Sequence, residues 1–253
     1  IGLFIGVSWK YGRVYCGWLC PHFSVVEVIN QNLRRAIGKQ SVWDRHTQPP
    51  QNPDGTTTPR NAWWWLVVVP LAVGFAFVWT ISILTYIWPP TQVWGDLVQQ
   101  QLPRFQVIFL GVGTALFSLE FLFARHLFCR FACAAGLFQS LAWMANRKAM
   151  VVGYARERAP ECAGCESACD NACPMRLPPR NVKRMMFSCV QCGQCLNACA
   201  HVKQDSANGP LLTWVHEDRA GQEASFNTRA ARQGLPDTDN VRRIPVKTLR
   251  SGE

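Results

Sequence analysis

The residues best equipped for chemistry are twelve cysteines, and they fall into four tight groups with none left over: Cys16/Cys20, Cys129/Cys133, Cys162/Cys165/Cys169/Cys173 and Cys189/Cys192/Cys195/Cys199. Small secreted domains scatter their cysteines along the chain as disulfide staples, whereas blocks with two or three residues between sulfurs suit metal ligation or dithiol redox chemistry. Structural disulfides are the competing explanation, and the spacing argues against them.

Cys162-x2-Cys165-x3-Cys169-x3-Cys173-Pro174 and Cys189-x2-Cys192-x2-Cys195-x3-Cys199 form a tandem that resembles bacterial two-cluster ferredoxins. In that pattern a short loop wraps three thiolates around a cubane cluster and the fourth comes from the other run. The resemblance implies that Cys162, Cys165, Cys169 and Cys199 hold one [4Fe–4S] cluster and that Cys189, Cys192, Cys195 and Cys173 hold the other. Structural zinc also uses Cys-x2-Cys pairs, but usually as two pairs separated by a longer loop. Two departures stand out: three residues, not two, separate Cys165 from Cys169, and Ala200, not proline, follows Cys199.

The remaining four cysteines belong to an internal duplication. Tyr15-Cys16-Gly17-Trp18-Leu19-Cys20 is followed by thirteen residues and then Arg34-Arg35-Ala36; Phe128-Cys129-Arg130-Phe131-Ala132-Cys133 is followed by thirteen residues and then Arg147-Lys148-Ala149. The offset is 113 throughout. Positions four apart on a helix share a face, so each pair is expected to present two sulfurs in one direction. If the two units face one another, Cys16, Cys20, Cys129 and Cys133 form one shared catalytic site. Soft sulfur ligands select copper(I), and the same thiols could cycle through a disulfide. Small buried cysteines that only pack at a helix crossing are the plainer alternative.

These motifs need elements to hold them, and the elements are apolar. Only 17% of the 253 residues are charged, below the roughly 25% of an average soluble protein. Ala62–Trp88 contains no charged residue and would extend about 40 Å as a helix, with Trp63, Trp64, Trp65 and Trp88 at its ends. Phe105–Ala124 carries only Glu120 and would extend about 30 Å. Both are expected to cross a bilayer, and a simple soluble globule is excluded. Ile1–Trp9 is expected to be the last turns of a further spanning helix that begins upstream. Lys10–Arg60 holds seven Lys/Arg and Arg125–Pro160 holds six, whereas Pro89–Arg104 holds only Arg104. By the positive-inside rule, Pro89–Arg104 is then a short periplasmic loop, and all twelve cysteines face the cytoplasm. Thr47–Pro59 reads as a flexible loop and the chain beyond Asp218 as irregular. The net charge of +10 comes mainly from membrane-flanking segments, which points to topology and anionic lipid and not to nucleic acid.

The resemblance extends beyond ferredoxin. Cys16-Gly17-Trp18-Leu19-Cys20-Pro21 with Glu27 seven residues on, the spanning pair, Cys129 to Cys133 followed by Phe138-Gln139-Ser140, and the two cysteine runs together resemble the FixG/CcoG/RdxA family of membrane-bound polyferredoxins, within a wider group of NapH- and NosR-like proteins. That resemblance implies electron transfer at the bacterial cytoplasmic (inner) membrane, with copper(II) as the substrate reduced during assembly of a cbb3-type cytochrome c oxidase and oxidase-assembly components as partners. The NapH/NosR-like alternative implies electrons carried from quinol to a periplasmic reductase. A redox partner protein or quinol is expected either way; a non-redox zinc scaffold is the third possibility. Glu27 and Glu120 are open between function and solvation. His22, His126, Met144, Met185 and Met186 are expected to pack. No Gly-rich phosphate loop of the Walker or dinucleotide type occurs in the sequence. The expected fold is an α-helical membrane protein with a small α+β ferredoxin-like two-cluster cytoplasmic domain. Its segments are 1–61 (helix end, first Cys-x3-Cys and loop), 62–124 (helical hairpin), 125–155 (second Cys-x3-Cys and interfacial helix), 156–215 (2[4Fe–4S] ferredoxin-like domain) and 216–253 (polar tail).

Overall fold

The structure is a computed structural model that describes residues 2–42, 58–124, 126–165, 167–181 and 183–221. Most of the expected loop at 47–59 and nearly all of the expected tail at 216–253 lie outside the described residues. The chain divides into two units, one formed by residues 24–50 and 58–128, the other by residues 1–23, 51–57 and 129–253.

The first of these units is a helical hairpin with a third helix against it. Asn61 caps the entry, its side chain accepting from the Trp63 backbone N–H at 3.0 Å, and the chain then runs from a 3-10 turn at Ala62–Trp64 into α4 (Trp65–Ile87). Thr80 and Ser82 return their hydroxyls to the carbonyls of Ala76 and Val78 at 2.8 and 2.7 Å, which satisfies polar groups on an otherwise apolar helix. α6 (Arg104–Leu119) packs antiparallel in sequence order against α4, and small residues let them approach: a Cβ on Gly113 would stand 2.5 Å from Thr80 Cγ2. α3 (Pro21–Ile37) turns Val25, Val26, Ile29 and Leu33 onto Val68, Ala72, Ala76 and Phe121. It stops at Gly38, whose φ of +72° suits a left-handed helix C-cap and whose N–H bonds the Arg34 carbonyl at 2.8 Å.

Ala62–Ile87 and Arg104–Ala124 are each long and apolar enough to cross a membrane, and only 28% and 11% of their most apolar windows are buried. The core helix of a soluble protein would bury most of that surface. The connection expected as a plain loop at Pro89–Arg104 instead carries α5 (Pro90–Val98), started by a proline at its first position, with Val93 buried beside Ile81, Leu84 and Leu110. Beyond α6 the chain widens into a π turn at Glu120–Ala124 and a second at Phe128–Ala132. π turns concentrate at functional positions, and the second of these contains Cys129.

The other unit begins with α1 (Gly2–Tyr11), which packs against α7 (Ala134–Ala145) and leaves Leu3, Phe4, Ile5 and Val7 exposed. Trp143 of α7 is fully buried and donates its indole N–H to the Met150 carbonyl at 2.8 Å. That contact leads into β1 (Val151–Tyr154), every residue of which is buried. β1 pairs antiparallel with β2 (Leu212–Val215), in register Val151 with Val215 through Tyr154 with Leu212. Between the strands the chain carries the eight clustered cysteines on short loops, α8 (Ala168–Asn171) and α9 (Gln194–Val202).

Candidate metal centres

The eight cysteines partition into two cavities. Cys162, Cys165, Cys169 and Cys199 line one, with about 310 Å³ of space, part of it open to solvent; Cys173, Cys189, Cys192 and Cys195 line the other, with about 340 Å³. Two helices account for the sharing. α8 gives Cys169 to the first cavity and its continuation gives Cys173 to the second, while α9 gives Cys199 to the first and Cys195 to the second. Left-handed residues set up the helix starts: Ser167 before α8 (φ +52°), and Gln191 and Gly193 before α9 (φ +49° and +77°). This grouping is the one that the ferredoxin resemblance implies for the two runs.

The donor sets fit thiolate-bound clusters. Leu177 donates its backbone N–H to Cys173 Sγ at 3.3 Å, backbone N–H groups of Ala168 and Gln191 reach Cys165 and Cys189, and the Tyr154 hydroxyl lies 3.5 Å from Cys162 Sγ. Hydrogen bonds to sulfur are one of the means by which proteins tune such clusters. Burial pushes the Cys189 thiol up to about 12 and raises Cys169 and Cys195 as well, with Asp170 adding to the effect at Cys169 and neighbouring sulfurs at Cys195. Without metal these are neutral buried thiols, and metal binding must release their protons. Among the described residues no three His, Cys, Asp or Glu side chains stand close enough to hold one metal ion.

The surroundings of the two cavities differ. Arg180 and Lys203 line the first; Arg180 pairs with Asp170, and Lys203 donates to the Glu161 carbonyl at 2.7 Å. A bidentate Arg158–Glu161 pair at 2.7 and 2.8 Å, with Arg158 also on the carbonyls of Asn208 and Gly209, ties that loop to the segment before β2. The second cavity has mainly apolar walls, among them Val152, Pro174, Met175, Met186, Val190 and Trp214, with Gln191 as a polar lining residue.

The four Cys-x3-Cys thiols also converge. Cys16 and Cys129 are buried in one core cluster with Cys20 against it, and both Cys20 and Cys133 stand near enough to Cys16 to raise its pKa, behind the larger effect of burial and against the lowering by Arg13. Their local structure differs from expectation: neither pair lies on one continuous helix. Cys16 sits in the single turn α2 (Val14–Trp18) and Cys20 just before Pro21 opens α3; Cys129 sits in the π turn and Cys133, extended, caps α7. The Pro21 ring occupies the first position of α3, where its missing N–H costs nothing, and that break lets one sulfur come from each side of a bend.

Sequence reasoning missed the residues that join these groups. Arg13, 1% exposed, donates from Nη2 to the Cys129 carbonyl at 2.8 Å and lies 3.8 Å from Cys16 Sγ, while the Cys16 thiol donates to Gln139 Oε1 at 3.5 Å. Gln191, inside the Cys189–Cys192 loop, accepts from the Arg13 backbone N–H at 2.6 Å and, through its carbonyl, from the Trp18 indole at 3.0 Å. A Cβ on Gly17 would stand 2.2 Å from the Val190 carbonyl, so only glycine allows that approach. Gly12 and Gly17 were the available signal. Elsewhere, Glu27 and His126 form a buried pair at 2.7 Å. Met186 is buried at the second cavity, Met144 packs against the same core, His22 is buried and Met185 is exposed. Glu120 opens the first π turn.

Comparison with known proteins defines the class. Residues 1–40 and 105–149 match the family described as "4Fe-4S binding domain", and those segments contain the two Cys-x3-Cys units and not the eight later cysteines. The chain is a distant homologue of ferredoxin-type electron-transfer proteins. It is similar to the ferredoxin-type protein NapH of Escherichia coli, 26% identical over 198 residues that cover 74% of this chain and 59% of the relative. Protein RdxA of Cereibacter sphaeroides is 25% identical over 212 residues, 79% of this chain and 42% of its own length, and the putative electron transport protein YccM of Escherichia coli is 22% identical over 198 residues, 78% and 51%. The chain thus spans about half the length of these relatives. No solved structure matches it.

Proposed function

We propose that the chain is a membrane-anchored iron–sulfur electron carrier in which three groups of four cysteines stand in series. The observation that carries the reading is the division of eight cysteines between two four-sulfur cavities that share α8 and α9. When bound, [4Fe–4S] clusters supply one-electron carriers whose potentials the protein sets. Cys162, Cys165, Cys169 and Cys199 would hold one and Cys173, Cys189, Cys192 and Cys195 the other. The core contacts support an order: Cys195 packs in one cluster with Cys169 and Cys199, while Cys173, Cys189 and Cys192 pack against the core that contains Cys16 and Cys129. The second cavity therefore lies between the first and the Cys-x3-Cys thiols. The exposed apolar length of Ala62–Ile87 and Arg104–Ala124 supports a bilayer anchor, with the basic flanks on the cytoplasmic side.

Anaerobically purified protein is expected to be brown, to carry roughly eight irons for two cubane clusters and to bleach with dithionite. Colourless protein with stoichiometric zinc overturns the reading.

The substrate we favour is copper(II), which gains one electron to become copper(I) and is then suited to the soft Cys16, Cys20, Cys129 and Cys133 thiolates, as in the assembly of a cbb3-type oxidase. Similarity to RdxA supports this reading. The similarity to NapH, which covers more of that relative's length, favours a second one: delivery of electrons from quinol to a periplasmic reductase. Copper(II) reduction lost in both C16S and C129S supports the first; quinol oxidation without copper turnover supports the second.

A further inference from the structure

Arg13 is among the largest fully buried side chains of the molecule, and two of its guanidinium nitrogens, Nε and Nη1, have no hydrogen-bond partner among the described residues. A buried cation left partly unpaired is costly unless an anion faces it. No acid is paired with Arg13 among the described hydrogen bonds and ion pairs; its recorded polar neighbours are the Cys16 sulfur, the Cys129 carbonyl and the Gln191 side chain. Two further buried amide donors have no partner among the described residues: Nε2 of Gln139, whose Oε1 accepts from Cys16, and Nε2 of Gln191, whose Oε1 accepts from the Arg13 backbone.

The internal repeat supplies a control. Adding the offset of 113 to Arg13 gives His126, and adding it to Glu27 gives Ser140. His126 of the second copy is buried against Glu27 of the first at 2.7 Å, so that basic position has a carboxylate for a partner. The equivalent position for Arg13 is Ser140 of the second copy, which carries no charge, and the charge of Arg13 is left for something else. Room has been kept for it, because a Cβ on Gly136 would stand 2.3 Å from Arg13 Nη2.

We propose that Arg13 is the charge-compensating residue of an anionic, thiolate-bound redox group held jointly by Cys16, Cys20, Cys129 and Cys133, with Gln139 as a second donor. This rests on the shared-site reading above. Four thiolates around a cluster leave net negative charge, and reduction adds another. A fixed guanidinium against Cys16 therefore favours the reduced form. Gln139 accepts from the Cys16 thiol as described and, with its amide turned over, would donate to a thiolate.

The test uses the full chain purified without oxygen, with iron, copper and zinc content and a potentiometric titration as readouts. R13Q is expected to make the reduction equilibrium of the Cys-x3-Cys group at least tenfold less favourable, which is 59 mV for a one-electron couple, while the centres of the eight clustered cysteines shift less. R13K, which keeps the charge, is expected to recover most of the change. G136A, which displaces the guanidinium without removing it, is expected to shift the group in the same direction by less. If R13Q loses the group while R13K keeps it and the other centres remain, the charge role stands. A group that persists in R13Q at the wild-type potential, or one that R13Q and R13K lose alike, overturns the role of Arg13. If C16S and C129S match the wild type in metal content and in every redox transition, the shared site itself falls, and the inference about Arg13 with it.

Discussion

The two cavities each gather four cysteines in unlike surroundings. One has Arg180, Lys203 and the Tyr154 hydroxyl at its wall; the other has mainly apolar walls, among them Val152, Met175, Met186 and Trp214, with Gln191 as a polar lining residue and Arg13 near Cys189. Identical ligands in different electrostatic settings give different reduction potentials, because net charge, hydrogen bonds to sulfur and solvent access set them. Cations stabilise the reduced, more negative form, so Arg180 and Lys203 are expected to raise the potential of the first cavity. Since the second cavity adjoins the Cys-x3-Cys thiols, a difference in potential would bear on the direction in which the proposed centres pass electrons.

The comparison breaks most visibly at α9. C199S should cost one centre, roughly four irons, and leave the second cavity's signal intact, whereas C195S should do the reverse. Loss of both signals from either variant would show that the cavities do not assemble separately; iron analysis with electron paramagnetic resonance reads this. Next in size is G17A. The added methyl would meet the Val190 carbonyl at 2.2 Å and push α2 off the second cavity's loop. Electron exchange between that cavity and the Cys-x3-Cys thiols should fall, with iron content unchanged. Equal rates in stopped-flow reduction would separate the loop contact from function.

A smaller effect sharpens the contrast directly. R180Q and K203Q should each lower the potential of the first centre, by tens of millivolts for changes of up to about tenfold in the equilibrium, and leave the second where it was. If both centres move equally, the cations act on the whole module and the asymmetry is not local. The smallest effect appears in cluster-free protein. Burial raises the thiols of Cys169, Cys189 and Cys195 above their ordinary 9.0, in Cys189 up to about 12. A raised folded pKa makes the neutral thiol a stabilising form, present in full below pH 9 and lost as the pH climbs through 9 toward 12. Thermal melts of the cluster-free protein should therefore weaken in that window, and melts of the loaded protein should not follow the same curve.

What the sequence disclosed was local. Cysteine spacing and uninterrupted apolar runs are properties of consecutive residues, so the two runs, the duplication and both membrane-length helices were visible at once. The bend between Cys16 and Cys20 was not, because a spacing of four is equally compatible with one helix or with a turn ahead of Pro21. α5 was hidden by its prolines, which read as loop but open the helix at Pro90. Arg13 meets Gln191 across 178 residues and Cys129 across 116, and no periodicity reports such a meeting. A basic residue three positions before a cysteine resembles any membrane-flanking charge until burial sets it apart.

Because α9 hands Cys195 to one cavity and Cys199 to the other, the two residues are set apart by helical rise, about 6 Å along the axis for four residues. Side-chain repacking, warming or a softened loop would leave that ruler unchanged. Inserting one residue between the two sulfurs would instead swing Cys199 by about 100°, so a change that barely alters the sequence would disconnect a conductor that many larger changes leave whole.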